Sequence, residues 1–244
     1  MAVANVEVNA LNYALNYELL NQNSSDFLLI LHGWGANKEL MKKAFGGEFK
    51  DFCHLYVDLC GFGKSSICKP LNSFEYAHIV NEFLQQKQIK PQIIIAHSFG
   101  GKIAALLSQN FKLKSLVLLS SAGIVWKKSL KVRAKIAIFK AFKWLKLAKI
   151  RSFFASKDVK GMNQTMYETF KKVVDEDFRE IFSKVECKTL IFWGIDDRAT
   201  PLKSGEMIHA LIKNSQFYPL QGEHFFFLDN ASFIAKEVLK AQKC

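Results

Sequence analysis

Three side chains have the types and the chain order that acyl-transfer chemistry asks for: Ser98 in AHSFGG, Asp197 in WGIDDRATP and His224 in QGEHFFF. A serine hydroxyl is a weak nucleophile until a base takes its proton. An imidazole does this well when a carboxylate fixes its tautomer and stabilises the imidazolium. Ser98 follows the apolar run IIIA and precedes a helical pattern starting near Lys102, so it stands in the corner between a strand and a helix. Small residues at Ala96, Gly100 and Gly101 let the chain turn tightly there and leave the hydroxyl exposed. The alternative is a serine that merely caps the following helix. Asp196 and Asp197 both directly follow a strand pattern, Asp197 being the preferred partner, and His224 lies behind the flexible Gly222 after the last one. Asp196 reads as a solvated loop carboxylate or turn cap, Asp229 as a residue near a helix start, and SSAG at 120–123 offers no acid.

The other histidines have plainer readings. His54 falls inside a strand pattern, and His78 and His209 inside helical patterns, which suits packing or surface positions. His97 abuts Ser98 and is expected to pack beneath the corner, while His32 opens the loop HGWG. Attack by Ser98 on a carbonyl would create an oxyanion, and losing one donor to such a charge typically costs about 100- to 1,000-fold in rate. The backbone N–H groups of Phe99 and Trp34 are the candidates. Gly33 and Gly35 let the chain after FLLIL curl back so that Trp34 can take part.

Alternating strands and helices must carry these loops to one edge of a sheet. Strand patterns fall at about 14–20, 27–32, 53–58, 92–96, 115–120, 188–193 and 215–219, and helical ones at 38–47, 74–88, 101–110, 202–213 and 230–242. The alternation predicts an α/β fold whose central sheet is mostly parallel, with helices on both faces and the first strands antiparallel at one edge. Residues 124–178 carry no strand pattern and read as an inserted helical cap. The expected organisation is a first core part at 1–123, the cap at 124–178 and a second core part at 179–244.

A chain of 244 residues suits one such domain with a sizeable insertion. No run reaches 18 apolar residues, so no membrane span is expected. The first twenty residues lack the charged and apolar regions of a secretion signal. Five cysteines without a C-x-x-C pair speak against a disulfide framework and a zinc site. A reducing cytoplasm is the simplest home. DLCGFGKS looks like a phosphate-binding loop, but Asp58 stands where the first glycine should be and would repel phosphate. Neither cofactor nor metal is expected. The net charge of +12 is concentrated: residues 127–160 hold twelve Lys or Arg against one acid, Asp158.

Taken in order, HGWG, DLCGFGKS, AHSFGG, WGIDDRATP and GEH resemble the α/β-hydrolase superfamily over nearly the whole chain. The resemblance implies the α/β-hydrolase fold, a triad of Ser98, His224 and Asp197, and an oxyanion hole at Trp34 and Phe99. A serine nucleophile disfavours the dehalogenase and epoxide hydrolase branches, which use aspartate at that corner. The C–C hydrolases of aromatic breakdown remain an alternative, although Ala96-His97-Ser98 and the phenylalanines after His224 depart from their pattern. HGWG, the size and the cap are most similar to the pimeloyl-acyl-carrier-protein methyl ester esterases of biotin synthesis, which implies ester cleavage through an acyl-enzyme.

On one helix over 128–149, the 3.6-residue period would gather Lys128, Lys131, Lys135, Lys143, Lys146 and Lys149 on one broad side, with Phe139, Phe142 and Ile150 intruding and a break near Phe139. Such a face fits an acidic acyl carrier protein, where like charges steer encounter. The alternatives are an anionic membrane, reached with Trp126, Trp144, Phe153 and Phe154 by a lipase or thioesterase, and solvent alone. A hydrolase scaffold used only for binding also stands. Nucleic acid is not expected, since no motif for it accompanies the charge.

Overall fold

The computed structural model describes residues 1–126 and 163–242. Among them, eight strands form one sheet in the order β1-β2-β4-β3-β5-β6-β7-β8. These are β1 Ala2–Val8, β2 Leu11–Leu20, β3 Phe27–Leu31, β4 Cys53–Val57, β5 Pro91–His97, β6 Ser115–Leu119, β7 Thr189–Gly194 and β8 Ser215–Leu220. Strands β3 to β8 run parallel, whereas β1 and β2 form a hairpin and β2 lies antiparallel to β4. Two expectations are corrected here. β1 is a strand no pattern was assigned to, and β2 and β3 are not neighbours, because β4 lies between them. In β1 every second residue, Ala4, Val6 and Val8, is buried. Its turn, Asn9-Ala10, holds φ of 52° and 60°, the two positive values of a hairpin turn whose twist matches its strands.

The helices are α1 Lys38–Phe45, α2 Ser73–Gln86, α3 Phe99–Leu107, α4 Gln164–Val173, α5 Arg179–Ser183, α6 Leu202–Leu211 and α7 Ala231–Ala241. They cover both faces of the sheet. In β5, Ile94 and Ala96 join the core layer beneath α2, α3 and α6, while Ile93 and Ile95 join the opposite layer with α1 and α7. A strand buried on both sides reads as an unbroken apolar run, which is why IIIA shows no alternation. α2 begins in a capping box: Asn72 Oδ1 accepts from the Glu75 N–H at 2.8 Å and Glu75 Oε2 from the Asn72 N–H at 2.8 Å.

The expected cap falls largely outside the described residues, and Lys128, Lys131, Lys135, Lys143, Lys146 and Lys149 all lie there. Its flanks are described, and both are fastened to the core. On the entering side, Trp126 Nε1–H donates to Ser204 Oγ of α6 at 2.8 Å, and the Arg179 guanidinium donates to the Val125 carbonyl at 3.1 Å. On the returning side, the Glu176 carboxylate accepts from Lys102 Nζ of α3 at 2.6 Å and from the Ser73 N–H at 3.1 Å. Lys102 Nζ also donates to the Val173 carbonyl at 2.8 Å and sits 4.5 Å over the Phe178 ring. Burial pushes the Lys102 ammonium down, and the Glu176 carboxylate works against that shift. Among the described residues, no helix is long and apolar enough to cross a membrane.

Candidate active site

The loops after β3, β5, β7 and β8 meet at the carboxyl edge of the sheet. Ser98 follows β5 with φ 49° and ψ −114°, a backbone that a residue with a Cβ adopts only under constraint. The constraints are visible. The Ser98 N–H donates to the Leu119 carbonyl at 3.0 Å, and the Ser98 carbonyl accepts from the N–H groups of Gly101 and Ala122, each at 3.0 Å. The Ser98 side chain makes no capping bond to α3, whereas Asn37 and Asn72 do cap their helices. The helix-cap reading of Ser98 therefore fails. Gly100 serves close approach rather than an unusual φ: a Cβ there would stand 2.6 Å from the His32 carbonyl oxygen.

Asp197 is 5% exposed and carries the densest set of donors in the site. Its carboxylate accepts from His224 Nδ1–H at 2.7 Å, from the N–H groups of Ala199 at 2.8 Å and Thr200 at 2.9 Å, and lies 2.9 Å from Thr200 Oγ1. Burial alone would raise this carboxyl; the hydrogen bond and charge of His224, with the Thr200 N–H, outweigh it and hold Asp197 below the usual carboxylate range. Accepting from Nδ1 fixes the His224 tautomer and leaves Nε2 free to take a proton. Asp196, by contrast, is exposed and makes no bond to His224. A Cβ on Gly194 would run into the carbonyls of Gly222 and Glu223, so only glycine lets β7 pass this close to the His224 loop. Among the described residues no hydrogen bond joins Ser98 Oγ to His224; bonds of this kind commonly tighten only when substrate arrives.

The HGWG loop presses on the same corner. A Cβ on Gly33 would stand 3.0 Å from Ser98 Cβ. His32 is buried, with Nε2 accepting from the Leu59 N–H at 3.0 Å and Nδ1–H donating to the Gly33 carbonyl at 2.8 Å, and burial drops its pKa to about 4. Phe99 is the first residue of α3, so its N–H has no partner inside the helix. The Trp34 ring packs against Phe62, Phe99 and Phe170 with centroids 4.9, 5.4 and 5.3 Å away, which makes an aromatic wall beside Ser98. Asp58, the residue that spoiled the phosphate-loop pattern, accepts from the Lys38 N–H at 2.8 Å, Lys38 Nζ at 3.0 Å and the Lys64 N–H at 3.1 Å. It braces the start of α1 behind the HGWG loop.

Ser98, His224, Asp197, Trp34 and Phe99 thus come together. Two contributors escaped the sequence reading: Thr200, whose Oγ1 also lies 3.1 Å from the Ser120 carbonyl, and Phe170, which reaches Trp34 from α4. Thr200 sits three residues after Asp197, which was its only local signal. Phe170 had none.

A family model described as the alpha/beta hydrolase fold matches residues 26–157. A pimeloyl-[acyl-carrier protein] methyl ester esterase of Neisseria meningitidis is 24% identical over 232 residues, covering 84% of this chain and 88% of that one. An esterase of the same name from Vibrio atlanticus is 25% identical over 250 residues, covering 88% of this chain and 94% of that one. A hydrolase of solved structure from Pseudomonas aeruginosa superposes with a TM-score of 0.77 at 19% identity, over 99% of this chain and 98% of that one, a likeness of fold. With five motifs in order, the parallel sheet and a family match across more than half its length, the chain belongs to the alpha/beta hydrolase fold family.

Proposed function

We propose that this protein is a serine carboxylesterase acting on an acyl ester presented by an acyl carrier protein. The observation that carries the reading is Ser98, held at φ 49° on the sheet edge that also bears the His224–Asp197 pair at 2.7 Å. His224, oriented by Asp197, takes the Ser98 proton as Oγ attacks the ester carbonyl. The N–H groups of Trp34 and Phe99 hold the oxyanion. His224 then protonates the leaving alcohol, and water, activated the same way, releases the acid and restores Ser98. The aromatic wall suits an apolar acyl chain. The names of the relatives from Neisseria meningitidis and Vibrio atlanticus support the methyl ester and the carrier. The basic excess at 127–160 supports an acidic docking partner.

The test is hydrolysis of a p-nitrophenyl ester series, then of the best acyl group tethered to a carrier protein, at low and high salt. Ser98→Ala is expected to lower kcat by about 10,000-fold or more. The tethered substrate should gain an advantage that salt erodes. Activity that survives Ser98→Ala ends the mechanism, and a salt-independent carrier advantage ends the docking half alone.

A further inference from the structure

His97 is the last residue of β5 and is 1% exposed. Its own backbone leads into Ser98, yet its side chain serves another loop: Nε2–H donates to the backbone carbonyl of His224 at 3.0 Å. The ring lies 4.6 Å from the His224 ring, 5.3 Å from Phe225 and 4.8 Å from Phe227, centroid to centroid. Its other face meets the HGWG loop, where a Cβ on Gly33 would stand 2.8 Å from Nδ1. One side chain therefore touches the HGWG loop and the His224 loop while its backbone carries the nucleophile. Ring packing alone needs no donor; only a donor at the Nε2 position can hold the His224 carbonyl.

We propose that His97 is a positioning residue, whose Nε2–H ties the His224 backbone to the strand that presents Ser98 and so sets where the His224 ring stands. The inference presupposes Ser98 and His224 as nucleophile and base. The bond must persist while His224 gains and loses a proton. Among the described residues Nδ1 of His97 is buried with no hydrogen-bond partner, so a second proton meets no acceptor from them. The titratable groups facing the ring are His224, Asp197 and His32. Burial, then the neighbouring His224, push the His97 pKa to about 3, so the ring keeps one tautomer through neutral and mildly acid conditions.

The experiment compares wild type, Ser98→Ala, His97→Gln, His97→Phe and His97→Met. Each is treated with an alkyl fluorophosphonate, in which Ser98 Oγ bonds to phosphorus, fluoride leaves and the hydroxyl proton passes to His224. Adducts are followed by mass spectrometry, alongside p-nitrophenyl ester kinetics and melting temperature. A misplaced reacting group costs on the order of 100-fold, so His97→Phe should lose about that much in labelling rate and kcat while KM stays within about twofold. His97→Gln, which can still donate, should recover most of the loss. Should His97→Phe melt well below wild type, Gln against Met carries the comparison, since these differ chiefly in the donor. If wild type is not labelled at Ser98, the esterase reading falls and this inference with it. If wild type is labelled and a folded Phe or Met variant reacts as fast, or Gln is as slow as they are, only the role of His97 is overturned. If Phe and Met both fail to fold while Gln folds, the bond is structural and the positioning role is overturned likewise.

Discussion

Ser98 occupies a conformation that costs its own backbone energy and is kept there by three main-chain hydrogen bonds. Strain of this kind is worth about 1–3 kcal/mol, more than the roughly 0.5–1 kcal/mol of entropy that glycine forfeits on folding. Ser98→Gly is therefore expected to be more stable than Ser98→Ala by about 1 kcal/mol in urea unfolding, although neither can react. A glycine variant less stable than the alanine one would mean that the corner stores no strain. At Gly194 the expected outcome is opposite: Gly194→Ala pushes the Glu223 backbone aside and carries His224 with it. Its kcat should fall about 100-fold with all three triad side chains present, as ester kinetics would show. Ser98, Asp197 and His224 were legible as candidates because their chemistry limits which residue types can serve, and because each follows a strand pattern. Thr200 and His97 were not legible as participants, since their roles depend on hydrogen bonds that only the folded loops create, His97 meeting His224 across 127 positions.

Among the elements, the Glu176 side chain takes its hold from α3 and α2, through Lys102 and Ser73. Lys102 is 2% exposed, so removing its partner or its charge leaves the other group without the opposite charge it faces. Lys102→Met should destabilise by about 3–5 kcal/mol, while adding Glu176→Leu should recover much of that, because an apolar pair is often as good as a buried ion pair. Thermal or urea unfolding of the single and double variants checks this; a double variant no better than the single one would contradict it. The strands β3 to β8 and the helices around them could be read because doubly covered strands are short, continuous apolar runs between helical patterns. β1 escaped although Val6 and Val8 alternate with Asn5 and Glu7, because the alternation is short and its turn, Asn9-Ala10, contains no glycine. The placing of β4 between β2 and β3 was illegible for a different reason. Pairing order depends on which apolar faces meet after the crossovers, and local patterns do not record it.

For the molecule as a whole, two buried histidines link stability to acidity. His32 and His97 have folded-state values of about 4 and about 3, below the ordinary histidine value near 6.5. An unfolded chain binds protons at these positions as pH falls through 6.5, and the folded chain does not until far lower. The stabilising contribution is therefore complete above about pH 6.5 and is lost as pH falls toward 4, by at most about 1.4 kcal/mol per pH unit for each histidine. Urea midpoints should drop between pH 7 and pH 4.5, and less steeply in His97→Phe; a flat profile would contradict the burial of these rings. Length, charge and motif order made the class of the molecule legible, while the fastening of the cap flanks was not, because Trp126 meets Ser204 across 78 positions and Lys102 meets Glu176 across 74. Those two seams have an evolutionary meaning. A segment stitched at both ends to standing parts of the domain is a cassette. Each seam is therefore inherited as a pair, because losing Trp126 strands Ser204 and losing Glu176 strands the buried Lys102.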